Sequence, residues 1–419
     1  MDFCSLTARQ VFYGRGRIVV VDVEYVFARL NGTGMVVVAH ATHGKTMTAL
    51  LYIPLILFLI RLLRKHSPFQ PARLDTQTAF SIIIPFRNEK ENIPRLIESL
   101  EKLDYPHDRF EVIFVDDDSD DGSAERIRKQ KASFRHRILK SSGALPSPKK
   151  AALDTGIRAA EFPYIHTLDA DVRVHPLHLQ YLSAFIREHE NPDLVAAPVL
   201  TEPAPTNAHA RVQQYEFLAL TALTRAGFLL NRPFSANGAN LSFSAEAFRK
   251  AGGWKNGIDY AGGDDLFLLA NIRKLPGART AFLASPHAAV YVPPLKTRRN
   301  WLNQHLRWAY KSVGKRFNAG SALAVLQTLT YAEILWRLLS ASPPFFSAAG
   351  WIAATGVVTV HYYLLKTAAR NCGYPFSFKS FLTAQFLLPF YYVSLGMTLL
   401  GHAAGIKKHF KWKGRTYKK

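Results

Sequence analysis

Three short, mostly apolar runs, each ending in charged or turn-forming residues, limit what this chain can fold into. Residues 80–84 read FSIII and close on Pro85, residues 110–115 read FEVIFV, and residues 164–168 read YIHTL. Runs of this length without a polar alternation suit strands covered on both faces. Between the first two, Ile93, Leu96, Ile97 and Leu100 recur at three-to-four spacing and predict a helix. Further helices are expected over 123–130 and 149–160. The order β-α-β-α-β implies an α/β fold with a parallel sheet and right-handed crossovers.

The third run empties into Asp169 and Asp171. Side chains two apart on an extended chain point the same way, so both acids project from the strand end, where open α/β sheets place ligands. Like charges so placed repel unless a proton or cation lies between them. Oxygen-only ligands favour a hard divalent ion, Mg2+ or Mn2+. A solvated strand-end turn accounts for the same two residues. The second run leads into DDDSDDGS, residues 116–123. Acids there can accept hydrogen bonds from a base N–H or ribose hydroxyls, or can simply make an Asp-rich turn. A calcium loop does not fit, because Gly122 in that register puts Arg128 at the terminal acid.

The chain has 419 residues and a formal net charge of +22, which asks for an anionic partner or surface. Much of that charge borders apolar flanks: Arg61, Arg64 and Lys65 after the first, and KKHFKWKGRTYKK after the last. No nucleic-acid-binding module is recognisable, so a lipid bilayer is the expected partner and nucleic acid is not. Cys4 and Cys372 are too far apart in sequence to suggest a disulfide framework or a zinc site.

Residues 1–45 form an extension of unclear structure, and Met47 opens a more typical beginning, so the natural start is expected near it. A transmembrane helix is expected over 46–63, a cytoplasmic domain over 76–296, and interfacial or amphipathic helices over 297–340. Two further transmembrane helices are expected over 343–365 and 381–401, followed by a basic cytoplasmic tail over 407–419. In the 322–339 stretch, Glu333 and Arg337 are spaced to pair.

IIPFRNE, then VDDDSDDGS, then KKAALDTGI, then DAD resembles the family 2 inverting glycosyltransferases in spacing and order. That resemblance puts Pro85, Arg87 and Glu89 at the border of a nucleotide pocket, with Asp116 and Asp117 holding the uracil and ribose. Lys149 stands where the family often has a lysine near the diphosphate, although Asp154 replaces its usual asparagine. Asp169 and Asp171 become the family's D-x-D pair, Asp171 being the direct metal ligand. GGDDLFLL, residues 262–269, matches the family's acidic catalytic-base motif, with Asp265 as base and Asp264 as its partner; a helix N-terminus also favours Asp. QHLRW, residues 304–308, fits Q-x-x-R-W. It implies that Gln304, Arg307 and Trp308 lie at the membrane side of the site, the cation towards the diphosphate and the indole near the acceptor sugar. An amphipathic basic helix against headgroups has the same composition. ANGANLSFSAEAF resembles an acceptor-side segment, with Asn237, Gly238 and Asn240 lining the site, though turn chemistry accounts for them equally well. The ending FKWKGRTY is similar to that of some membrane glycosyltransferases acting on lipids, including ceramide glucosyltransferases.

The expectation is therefore a glycosyltransferase-A-type, mostly parallel sheet with helices on both faces, plus N- and C-terminal transmembrane helices. The implied enzyme is a multi-pass membrane protein with its catalytic domain in the cytoplasm, at the plasma or inner membrane if bacterial. It would move a sugar from a nucleotide-sugar, expected to be a UDP-sugar, to a lipid or glycan acceptor with Mg2+ or Mn2+. A processive polysaccharide synthase is the alternative, and a non-catalytic membrane scaffold the remote one.

Overall fold

The computed structural model describes residues 3–14, 17–30, 34–41, 47–203, 207–254, 263–313, 319–340, 348–403, 409–412 and 415–418. It opens with β1 (Phe3–Gly14), β2 (Arg17–Leu30) and β3 (Gly34–Ala41), an antiparallel sheet of their own. The extension left unclear from sequence is a meander, and its Val-rich runs separated by glycines were the available signal. Helix α1 (Met47–Lys65) follows.

The α/β part begins with β4 (Phe80–Phe86), α2 (Ile93–Glu101), β5 (Phe110–Asp116), α3 (Ser123–Lys129), β6 (His136–Lys140), α4 (Pro148–Ala159) and β7 (Tyr164–Leu168). It continues through α5 (His178–Glu188), β8 (Leu194–Ala196), β9 (Val199–Thr201), α6 (Ala208–Leu229), β10 (Asn240–Ser244) and α7 (Ala245–Lys250). Then come α8 (Asp264–Ile272), β11 (Thr280–Phe282) and β12 (Val290–Val292). Helices α9 (Arg298–Val313), α10 (Ala319–Ser340), α11 (Ala348–Asn371) and α12 (Phe378–Ala403) precede a hairpin of β13 (His409–Trp412) and β14 (Arg415–Lys418). The expected basic tail is thus partly strand, and β13 lies against α9.

Seven strands form the central sheet in the order β11-β8-β10-β7-β4-β5-β6. Every neighbouring pair is parallel except the two made by β10. The expected mostly parallel α/β sheet is present. Helices cover both faces, and the pleat sorts them. Phe80, Ile82, Ile84 and Phe86 of β4 pack with Leu96 and Leu100 of α2, Ile127 of α3 and Leu182 of α5. Ile83, between them, joins Leu153 of α4 and Leu268 of α8 on the other face. Pro85 does not end β4 but pairs in register with Val115. The ladder to β7 stops at Ile83, so Pro85 sits where β4 has one sheet neighbour and a missing N–H is tolerated.

A third layer sits beside the sheet. On α1 the stripe Tyr52, Ile56, Leu59 and Leu63 is buried, packing with Leu218 and Ala222 of α6 and with Val357, Leu364 and Phe381 of α11 and α12. Leu50, Leu51, Leu57, Phe58, Trp351, Ile352, Phe386 and Met397 of the same layer are exposed. Glu333 of α10 accepts a hydrogen bond from Thr48 of α1, while the side chain of Arg337, its expected partner, lies outside the described residues.

Among the described residues no helix is long and apolar enough to cross a membrane, which corrects the expectation of spans over 46–63, 343–365 and 381–401. Helices do occupy these places, but charge and inward packing share them. Arg61, Arg64 and Lys65 lie within α1, Lys366 and Arg370 within α11, and Gln385 and Pro389 within α12. Residues 46 and 343–347 lie outside the described residues.

Candidate active site

The site forms at the strand ends on the sheet's carboxyl edge, where parallel winding leaves a crevice. Its first part is a ridge of two loops, after β4 and after β5. Arg87 donates from Nη1 to the carbonyls of Asp117 (2.7 Å) and Asp118 (2.5 Å), so its guanidinium holds the second loop. Asp120 N donates to Asn88 Oδ1 and Lys90 N to Asp121 Oδ2, both at 3.0 Å. Asn88 and Asp118 each adopt positive φ (52° and 63°), as tight loop packing demands. Glu89 is buried: its N–H donates to Ser123 Oγ at 2.8 Å and its Oε2 accepts from Asn92 Nδ2 at 2.7 Å. Asp116 closes β5 in register with Phe86, and its Oδ1 accepts from Ser119 N at 2.9 Å. Pro85, Arg87, Glu89, Asp116 and Asp117 are therefore brought together. Within this group Arg87 and Glu89 act as braces of the loops.

The second part gathers around Lys149, in the first turn of α4. Its ammonium lies 2.8 Å from Asp169 Oδ1 and 3.5 Å from Asp264 Oδ2. Burial alone would depress the Lys149 pKa, but the carboxylates of Asp169, Asp264 and Asp265 outweigh it and hold the amine well above its ordinary value. Residues distant in sequence, the D-x-D acid and the GGDD acid, thus share one cation. Burial, reinforced by the Asp169 carboxylate, pushes Asp171 up to about 6 against the opposing pull of Lys149 and Arg307. Arg307, on α9, is the second positive charge that bears on Asp171.

Asp264 and Asp265 open α8 behind Gly263, whose φ of 73° suits glycine, and the helix N-terminus favours their negative charge. Asp264 is the acid tied to Lys149. Asp265 Oδ2 accepts from Gly238 N at 3.4 Å. A Cβ on Gly238 would stand 2.8 Å from Asp264 Oδ2, so only glycine lets the backbone approach this closely. Thr167 Oγ1 donates to the Gly238 carbonyl at 2.8 Å and fixes the loop to β7. Asn237 Oδ1 accepts from Ala239 N within the turn. Asn240 is placed differently from the expectation that it lines the site. It is buried in β10, and its amide donates to the carbonyls of Pro198 and Ala288 at 2.8 Å each, anchoring the strand.

On α9, Gln304, Arg307 and Trp308 are partly buried, and Trp308 packs against Phe217 and His305 with ring centroids 6.2 and 4.8 Å apart. The residues that sequence reasoning missed lie beneath this helix. Glu216 of α6, almost fully buried, meets Trp301 and His305. The signal was a lone acid in the otherwise apolar stretch around QYEFLAL.

Two carboxylates of raised mutual repulsion are a fitting seat for a hard divalent cation. Among the described residues no cluster of three or more His, Cys, Asp or Glu could hold a metal alone. A cation on Asp169 and Asp171 would therefore need oxygens from a phosphate-bearing substrate or from water, as Mg2+ usually does.

Carboxylates and a shared ammonium meet at these strand ends, a set of groups that can accept a proton and can face phosphate charge. Residues 81–251 match the family model "Glycosyl transferase family 2", the enzyme class that the motif order implied. The match stops before Asp264 and the QHLRW helix; the folded structure supplies their connection to it. The chain is similar to the probable glycosyltransferase YdaM of Bacillus subtilis, 24% identical over 232 residues, covering 55% of this chain and 54% of that protein. It is also similar to the poly(ribitol-phosphate) beta-N-acetylglucosaminyltransferase TarS of Staphylococcus aureus, 31% identical over 115 residues, or 27% of this chain and 19% of that one. The chain therefore spans about half of the first relative and a fifth of the second. Among solved structures, it aligns with the mannosyltransferase PcManGT of Pyrobaculum calidifontis in complex with GDP-Man and Mn2+, with TM-score 0.48 and 19% identity. That alignment covers 86% of this chain and 94% of that one.

Proposed function

We propose that this protein is a membrane-attached inverting glycosyltransferase of the glycosyltransferase-A type, moving a sugar from a UDP-linked donor to a lipid or lipid-linked acceptor. The observation that carries the reading is Lys149, whose ammonium draws Asp169 of the donor-side motif and Asp264 of the base motif around one point. Asp116 and Asp117 receive the uracil and ribose on the ridge. Asp265 takes the proton of the acceptor hydroxyl as that oxygen bonds to the anomeric carbon. The bond from that carbon to the diphosphate breaks, and UDP leaves with the electron pair. Lys149 and Arg307 meet the charge that grows on the leaving diphosphate. A divalent cation, when bound at Asp171 and Asp169, supplies further charge neutralisation there.

The membrane attachment rests on the helix layer. Exposed Leu50, Leu51, Leu57 and Phe58 of α1, with Trp351, Ile352, Phe386 and Met397, form an outward apolar surface of the kind that lipid covers. The cations ending α1 suit the anionic cytoplasmic leaflet, which favours attachment from the cytoplasmic side. An acceptor with a hydrocarbon part would reach a site flanked by such a layer.

The test is product analysis with purified protein in lipid, radiolabelled UDP-sugars and Mn2+ or Mg2+, beside Asp265→Asn. Label in a discrete organic-extractable species, lost in the variant, is the expected result. Long water-soluble product would make the enzyme a polymer synthase. No metal-dependent turnover from any donor would remove the enzymatic reading.

A further inference from the structure

We infer that Glu216 is a positioning residue for the transfer proposed above: it clamps α9 so that Arg307 and Trp308 face the crevice. The inference rests on that reading of Arg307 and Trp308, and the clamp itself is visible in the packing. Glu216 is 3% exposed. Its Oε2 accepts from Trp301 Nε1 at 2.8 Å, and its Oε1 pairs with His305 Nε2 at 2.5 Å. Tyr392 of α12 adds a hydroxyl at 3.4 Å. Trp301 and His305 are four apart, one turn of α9, so a single carboxylate fixes the roll of that helix. The rings of the two residues stack at 3.9 Å.

The proton count reinforces the clamp. His305 Nδ1 faces the carbonyl of Trp301 at 2.9 Å, so Nδ1 carries a hydrogen. The contact between Nε2 and Oε1 then needs one more proton, carried either by the ring or by the acid. Glu216 and His305 are an acid–base pair joined through that proton, in surroundings where a hydrogen bond is strong and a broken one costly. Two positions beyond His305 stands Arg307, and next to it Trp308, whose ring packs on Phe217, the neighbour of Glu216 on α6. Helix α6 therefore holds α9 by adjacent residues, one polar and one aromatic. A buried acid is a poor way to gain stability, since apolar replacements often pack as well. What it supplies here is orientation.

Hydrogen exchange and turnover, measured together in lipid, test this on Glu216→Ala, Glu216→Gln and Arg307→Ala. In Glu216→Ala, protection of the amides over Arg298–Val313 should fall about tenfold or more, while that of β5 and α8 stays unchanged. Its kcat should fall about thirtyfold or more with donor KM within about twofold, and adding it to Arg307→Ala should slow that variant no further. Glutamine can accept from Trp301 Nε1 and donate to a neutral His305 Nε2, so Glu216→Gln should recover both readouts to within about threefold. If Glu216→Ala does not fold, Trp301→Phe, which deletes one donor without opening a large cavity, should show the same confined loss of protection. Unchanged protection over α9, a loss spread equally over the whole sheet, or a glutamine variant no better than alanine would overturn the clamp. A wild-type protein that transfers no sugar would sink the functional reading, and the exchange data would still judge the clamp. Normal kcat in Glu216→Ala beside a dead Asp265→Asn would do the reverse.

Discussion

Replacing Lys149 by methionine keeps most of the unbranched stem of the side chain and deletes the charge at the centre of the site. Its ammonium stands 2.8 Å from Asp169 and 3.5 Å from Asp264. Coulomb's law puts the two attractions at about 1.5 and 1.2 kcal/mol in water, and about 6 and 5 kcal/mol at an effective dielectric of roughly 20. Lys149 and Asp169 are each about a third exposed, which places their pair near the lower figure, whereas Asp264 is 3% exposed and its pair lies higher. Desolvation of the lysine offsets part of the sum, leaving a net loss of about 2–3 kcal/mol at pH 8 in metal-free buffer. The pH dependence gives the sharper test. Asp171 has its folded-state pKa raised from 3.8 to about 6, so its charge costs stability in full above pH 6, and the cost declines as pH falls from 6 and is gone only below about 3.8. Without Lys149 that cost grows, so the deficit of Lys149→Met against wild type should be larger at pH 8 than at pH 5. Urea unfolding in EDTA at both values measures it. A deficit equal at the two pH values, or none at all, would refute the electrostatic account of Lys149.

Gly238→Ala drives a methyl to 2.8 Å from Asp264 Oδ2, so turnover should fall about tenfold or more with melting temperature little changed; activity within twofold would show that the loop yields. Mn2+ affinity should drop about fivefold between pH 6 and pH 5, because a proton on Asp171 must leave first, and calorimetric titration would expose a flat dependence. Burial, with a contribution from His175, lowers His178 from 6.5 to about 4, so the fold keeps it neutral. Stability should be full above pH 6.5 and decline by about 3 kcal/mol as pH falls towards 4, and His178→Gln should flatten that slope in urea titrations.

The near half of the sheet was legible because its signals are local. β7 has the bounds expected, and β5 and α4 differ by a residue or so, since an uninterrupted apolar run or a helical period needs no distant partner to be recognised. The acids of the site were legible as types and in order. What brings Asp264 to Lys149 was not, being a contact between residues more than a hundred positions apart. β10 carried a readable sign, Leu241 and Phe243 alternating towards one core with Ser242 bonded to His166 on the other face, but five residues are too few to separate a strand from a loop. The helices of the third layer were located correctly and assigned too simply. Their apolar residues serve two surfaces, an inner one against α6 and an outer one, which composition alone cannot apportion. Asn240 shows the opposite failure: a polar residue in a suggestive motif was spent on backbone carbonyls.

The reversal at β10 has a consequence for how such a chain can diversify. Winding from β4 to β7 is complete before it, and the ridge and D-x-D acids all belong to that finished part. The GGDD acids, α9 and the helix layer beyond it are joined to that part across a seam that includes five paired residues between β10 and β7, the Thr167–Gly238 bond and one shared ammonium. If the proposed division of roles holds, donor recognition and acceptor recognition are separable inheritances: loops and helices after the seam can be exchanged or lengthened while the earlier half keeps its fold, provided a glycine at the seam and a lysine across it are retained.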